Sequence, residues 1–179
     1  MKKSIILWQT IGFIVISVLG VLLHFLYDWT GLKFIGLFSA VNESTWEHMK
    51  LMYFPMFLSG LMEYAFFFRE YENFWCIKLK GIVIGLILIP VLFYTLGGIF
   101  GNSSLDWVNI AIFFLSAIWA LVCETREFKK ENTNCKLNKT AFVAICIIGA
   151  LFMLFTFFTP EIPIFQNPID GSFGINNQI

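Results

Sequence analysis

Only two histidines occur in the chain, His24 and His48, and each stands a few positions from carboxylates. His24 and Asp28 are four apart, a spacing that puts both on one face of a helix. Together they suit a metal or proton site, or a polar helix end resting at membrane headgroups. The stretch Phe38-Ser39-Ala40-Val41-Asn42-Glu43-Ser44-Thr45-Trp46-Glu47-His48-Met49-Lys50 gathers an amide, two carboxylates, an indole and an imidazole into a few positions. His24, His48 and Glu43 or Glu47 compose a two-histidine, one-carboxylate set of the kind that holds zinc. The set is thin. It needs both histidines of the chain, and no H-E-x-x-H occurs, since His48 follows Glu47 directly.

Each of these residues also has a structural reading. Ser44-Thr45-Trp46-Glu47 fits the capping box, in which Ser44 accepts from the Glu47 amide and the Glu47 carboxylate reaches back to Ser44. That places a helix start at Thr45 and explains Glu47 without catalysis. Glu43 falls before the cap and has no such role. His48 sits in the first turn, where the helix dipole disfavours a cation, so it is expected neutral, the form that binds metals. Four turns on, Glu63 shares a face with His48, Met52, Pro55 and Ser59 at about 100° per residue. A carboxylate buried in lipid is costly, so Glu63 either faces the bundle interior, the position that marks function, or reaches the headgroups near Arg69.

The elements that must position these groups are membrane helices. The chain is 58% hydrophobic and only 13% charged, against about a quarter charged in soluble domains. A span takes about 20 apolar residues, and five windows supply them: Ile5 to Leu26, Met49–Phe68, Gly81–Phe100, Leu105–Cys123 and Thr140–Thr159. The first is too long for a signal-peptide core and lacks a cleavage site, which makes it a retained helix. Lys2, Lys3, Arg69, Lys78, Lys80, Arg126, Lys129, Lys130, Lys136 and Lys139 fall on one side; Lys33 and Lys50 fall on the other. Cytoplasmic loops collect basic residues, so the N-terminus is expected inside and the C-terminus outside. Trp8 and Trp75 then mark the inner boundary, and Trp29, Trp46 and Trp107 the outer one.

Several smaller expectations follow. Gly81 and Gly85 form a small-xxx-small pair that lets a neighbouring helix approach. Pro90 should kink the third span and Gly97-Gly98 should end it. Thr30–Val41 is too short and broken to span and should lie in the outer interface as a turn or short helix. Thr125 to Lys139 reads as a solvated connector. Cys76, Cys123, Cys135 and Cys146 show no C-x-x-C spacing, and their expected position favours free thiols. Residues 160–179 carry three prolines, an Asp170-Gly171 turn and many apolar side chains, a composition suited to docking on the outer face, with Phe165 and Phe173 near Trp46.

The Phe38–Lys50 motif and the tail Ile162-Pro163-Ile164-Phe165-Gln166-Asn167-Pro168-Ile169-Asp170-Gly171-Ser172-Phe173-Gly174-Ile175 resemble the hallmarks of a small bacterial multi-pass membrane family of unknown function. The resemblance covers nearly the whole chain and implies a polytopic membrane protein without implying an activity.

The expectation is thus an all-α protein of one transmembrane domain, residues 1–179, multi-pass in the cell membrane with the lipid bilayer as partner. Its polar cluster comprises His24, Asp28, Asn42, Glu43, Glu47, His48 and Glu63. A net charge of +0 provides no field to recruit nucleic acid, and no hydrolase, phosphate-binding, dinucleotide or kinase motif is present. Two functional classes remain. One is a binding or transport component; the other is a metal-dependent membrane-embedded hydrolase using His24, His48 and a carboxylate around zinc.

Overall fold

The computed structural model describes residues 2–68, 71–100, 106–130, 135 and 137–175, without the side chains of residues 2, 3, 67, 97–100 and 106. Arg69, Lys136 and Leu105, the expected start of the fourth span, lie outside the described residues. Those described form five α-helices, α1 (Lys2–Thr30), α2 (Thr45–Glu63), α3 (Phe74–Phe100), α4 (Asp106–Phe128) and α5 (Asn138–Phe157), and no strand. A π-helical turn, Tyr64–Phe68, continues α2.

Helices α1, α3, α4 and α5 are each long and apolar enough to cross a membrane. Their outward faces carry Leu7, Ile14, Val18, Ile87, Ile110, Leu115, Ile147 and Leu154, all exposed. The interior, by contrast, holds Gln9, Lys50, Ser59, Glu63, Lys78 and Glu124. An apolar exterior around a polar interior is the arrangement a lipid solvent favours. Helix α2 is not apolar enough to join the other four, because it carries Glu47, Lys50 and Glu63. It can do so because most of its length is covered by protein, from Thr45 through Met52 and Ser59 to Glu63.

Most helices run beyond their expected spans. Helix α3 begins seven residues before Gly81 and continues through Gly97-Gly98 to Phe100, so the glycine pair does not end it. Glycine costs a helix about 1 kcal/mol per residue, less than leaving backbone groups unpaired in an apolar medium. The longer helices change the standing of two charges. Lys78, expected in an inner loop, is buried within α3, and Glu124, just past the expected end of the fourth span, is buried within α4. Gly81 seats α4 against α3: a Cβ there would stand 2.1 Å from Glu124 Oε1. Gly85 likewise meets Met52 and Ala120.

Part of the expected connector is packed rather than solvated. Phe128 is buried and stacks on Phe68 at 4.9 Å between ring centroids, with Tyr71 and Phe74 beside it. Asn138 Oδ1 accepts from the Trp75 and Cys76 amides at the start of α3 (2.7 and 3.2 Å), and Asn73 Oδ1 accepts from the Cys135 amide. Cys76 and Cys135 form a disulfide, with Cα atoms 6.4 Å apart, so these two are not the free thiols expected; Cys123 and Cys146 are free. Nothing in the spacing of the four cysteines signals the pairing, which the Asn73 and Asn138 contacts bring about. Trp75, expected at a membrane boundary, is buried against Phe142.

The loop between α1 and α2 is pinned from three sides. Ser39 is fully buried; its hydroxyl accepts from the Tyr27 amide and donates to the Leu23 carbonyl, so it sits against the last turns of α1. Ile35–Leu37 forms a short 3-10 turn. Lys50, fully buried, donates to the Gly36 carbonyl (2.7 Å), to Thr156 Oγ1 on α5 (3.0 Å) and to Glu47 Oε2 (2.5 Å). Glu47 also accepts from the Val41 amide at 3.1 Å.

The capping box is therefore half formed. Ser44 Oγ accepts from the Glu47 amide (3.4 Å) and α2 starts at Thr45, but the Glu47 carboxylate goes to Lys50 and Val41. The Ser44 amide donates instead to Asn42 Oδ1. The buried Lys50 ammonium, one helical turn on, outcompetes the neutral Ser44 amide for that carboxylate.

Removing one partner of a buried ion pair leaves the other charge uncompensated, at a cost of about 3–5 kcal/mol. Lys50→Met is expected to lower the melting temperature of the purified protein sharply, and Glu47→Gln added to it should recover part of the loss. Unchanged melting of the single variant would show that the pair does not hold the loop.

Candidate functional site

The last turns of α1 and the first turn of α2 bring His24 and His48 together, with ring centroids 5.7 Å apart. The pinned loop delivers Glu43 between them. His24 Nε2 stands 3.7 Å from Glu43 Oε1, and His48 Nε2 stands 3.5 Å from Glu43 Oε2. Potential ligand atoms of the three residues all lie within 4.8 Å of one another. Those separations are longer than a direct charge-assisted hydrogen bond, about 2.7–2.9 Å. They match donors arranged around a tetrahedral ion, which sit about 3.4 Å apart when the bonds are about 2.0–2.1 Å.

The second nitrogens of the two rings differ. His48 Nδ1 lies 3.0 Å from the Ser44 carbonyl. A carbonyl oxygen can only accept, so Nδ1 carries the proton and, in the neutral ring, Nε2 presents a lone pair toward Glu43. This is the outer contact by which proteins fix a metal-binding histidine. His24 Nδ1 is buried with no hydrogen-bond partner among the described residues. The three side chains are partly exposed, Glu43 most of all at 38%, so one side of the group is open. On its far side His48 lines a small, mostly apolar cavity with Thr45, Ile89, Phe93, Asn109, Ile112 and Phe113.

The remaining residues of the expected cluster divide. Asp28 is exposed and makes no ion pair among the described residues. Glu47 is committed to Lys50 and Val41. Asn42 supports the site from outside: Oδ1 accepts from the Ser44 amide, and Nδ2 donates to the Gly174 carbonyl of the tail at 3.0 Å.

The tail lies over this end of the bundle. Phe165 is buried, 4.6 Å from the Trp46 ring and 5.7 Å from Phe155. Phe173 makes a backbone bridge with Gln166 instead of meeting Trp46, while Ile162 and Ile169 remain exposed. Gly171 takes φ +74 in the turn, and the Ser172 hydroxyl and amide hold the Asp170 carboxyl below its usual range. Gly174 is required twice over: its φ is +65, and a Cβ would stand 2.4 Å from Thr159 Oγ1.

Glu63 belongs to a different group. It lies fifteen residues from His48, roughly 22 Å along a helix rising about 1.5 Å per residue, and faces the bundle interior, almost fully buried. Lys78 Nζ reaches both of its oxygens (3.3 and 3.2 Å) and Glu124 Oε2 (2.7 Å). Ser59 Oγ donates to Glu63 Oε1, and Gln9 Nε2 donates to Glu124 Oε2 at 3.3 Å.

Gln9, Lys50, Lys78 and Glu124 were not among the candidate residues of the sequence. Lys50 had a local signal, since it lies three residues after Glu47 on one helix face. Lys78 and Glu124 had none, because each fell just outside an apolar window.

No curated protein and no solved structure matches the chain. The model of one family, described as a family of unknown function (DUF6512), matches residues 1–175, and the chain belongs to that family.

Proposed function

We propose that the protein is a multi-pass cell-membrane protein that binds a divalent transition-metal ion, zinc or a close neighbour, through His24, Glu43 and His48 on its outer face. The observation that carries this reading is the convergence of three ligand atoms within 4.8 Å, with His48 oriented by Ser44. Two imidazoles and a carboxylate form a borderline N/O donor set suited to zinc. Three protein ligands leave a coordination position for water or a transported or bound ligand.

Binding or transport is favoured over hydrolysis by the state of Glu47. Zinc metalloproteases of the H-E-x-x-H kind use a carboxylate beside the histidine as general base, and here Glu47, which precedes His48, is held by the buried Lys50. A metal bound here also gives the Ser44–His48 hydrogen bond and the sparse loop carboxylate Glu43 a common purpose, which capping does not.

Chelator-treated protein titrated with zinc in a calorimeter is expected to bind one ion per chain. His24→Ala, His48→Ala and Glu43→Ala should each weaken binding at least about tenfold, or about 1.4 kcal/mol, while Asp28→Asn should not. Because zinc takes neutral imidazole, affinity should fall as acid protonates the ligands. Binding unaffected by all three ligand substitutions would refute the site.

The orientation proposed with this reading is N-terminus inside. Burial removes Lys78 from the inner count and Lys50 from the outer one, and the basic excess stays on the same side. The tail and the metal site then face outward. With this orientation the Cys76–Cys135 disulfide would face the inner side, where the cytosolic thiol pool opens it to two thiols in the cell. Reporter fusions after Lys130 and after Ile179 should therefore report opposite compartments. In intact cells, a membrane-permeant maleimide should modify Cys76 and Cys135 without added reductant. Both cysteines protected until reductant is supplied, with the fusions inverted, would reverse the orientation.

A further inference from the structure

We propose that the Gln9–Glu63–Lys78–Glu124 cluster is a proton-binding site that holds one proton on Glu124 Oε1. The proposal is independent of the metal site, which lies at the other end of α2. Four helices build the cluster: α1 contributes Gln9, α2 contributes Ser59 and Glu63, α3 contributes Lys78, and α4 contributes Glu124. Glu63, Lys78 and Glu124 are each about 1% exposed. Two glycines make room for the carboxylates. A Cβ at Gly12 would stand 3.0 Å from Glu63 Oε1, and one at Gly81 would stand 2.1 Å from Glu124 Oε1.

Donors and charge fall short together. An ammonium has three N–H bonds, and the three contacts of Lys78, to Glu63 Oε1, Glu63 Oε2 and Glu124 Oε2, use them all. Glu63 gains a third donor contact in Ser59, and Glu124 Oε2 a second in Gln9. Glu124 Oε1 has no donor among the described residues. Two carboxylates on one ammonium also leave one negative charge uncompensated in a water-excluded interior, where a charge without a partner is strongly disfavoured.

One proton on Glu124 Oε1 corrects both deficits at once. It neutralises the cluster and turns the unpaired acceptor into a donor. Gln9 Oε1, also buried and lacking a donor, belongs to a side chain already in contact with Glu124, and it is the acceptor the proposal assigns to that proton. The proton falls to Glu124 and not to Glu63, because both oxygens of Glu63 are already supplied. Two neighbouring carboxyls with unequal environments divide into one acid and one anion by the same logic in catalytic dyads.

The test is infrared spectroscopy of the full-length protein in lipid at neutral pH, where water-exposed carboxyl groups are ionised. The wild type should show the C=O stretch of a protonated carboxylic acid, shifted down in D2O. Glu124→Gln should lose the band. Glu63→Gln should lose it too, since one carboxylate beside Lys78 forms a neutral pair and needs no proton; Glu43→Gln should keep it. Replacing potassium by sodium should leave it unchanged. No band in the wild type, or a band that survives in Glu124→Gln, would overturn the proposal. The wild-type and Glu63→Gln spectra decide the matter even if Glu124→Gln fails to fold.

Discussion

The buried contact between Glu47 and Lys50 is the constraint on which the histidine-bearing end of the molecule depends. One ammonium ties α2 to the Gly36 carbonyl in the preceding loop and to Thr156 on α5, while its carboxylate partner holds the Val41 amide. Six residues of loop are thereby fixed at both ends, and Glu43, two positions after them, has little freedom except to face the histidines. Gly36 permits the close approach: a Cβ there would stand 2.9 Å from Val41. Neither residue of the pair is free to act as an acid, a base or a ligand. Their role is to set the geometry in which Glu43 and His48 can act.

Helix α2 contributes to both the histidine site and the Glu63–Lys78–Glu124 cluster, and its surroundings explain why it can. An ion in lipid is disfavoured unless protein or water replaces its hydration. Here α1, α3, α4 and α5 supply both the apolar exterior and the polar partners. Glycines at the crossing points, Gly12 and Gly81 for the inner cluster and Gly149 against the Tyr53 hydroxyl, bring the backbones close enough for those partners to reach. Tyr53 donates to the Ile145 carbonyl at 2.6 Å, so even the middle of α2 is fixed by a polar contact with α5. Buried ion pairs add little net stability compared with apolar packing.

Much of the fold was legible in the sequence, because hydropathy reports lipid exposure directly. Four apolar windows correspond to α1, α3, α4 and α5, and Ser44 marked the start of α2. The outer site was legible in composition, since His24, Glu43 and His48 were named from residue type and spacing, and the loop that joins them is short. The contacts that hold the site were less so. Glu47 was matched to Ser44, its neighbour in sequence, whereas its partner is a buried lysine counted among the outer-loop charges. Lys78 and Glu124 escaped because a hydropathy window stops at the first charge, while the helix continues one or two turns past it. A charge at the edge of a span can belong to a loop or to the interior, and only its partner on another helix decides. The same holds for Cys76 and Cys135, fifty-nine positions apart, whose pairing depends on how the start of α3 meets the start of α5.

The proposed metal ion is held by two imidazoles and one carboxylate. X-ray absorption at the zinc edge of the zinc-loaded protein reads that directly. Such a site gives a first shell of nitrogen and oxygen at about 2.0–2.1 Å, with outer-shell scattering from two imidazole rings and no sulfur at about 2.3 Å. A sulfur shell, or the absence of imidazole scattering, would contradict it and place the metal at the free cysteines or on the surface.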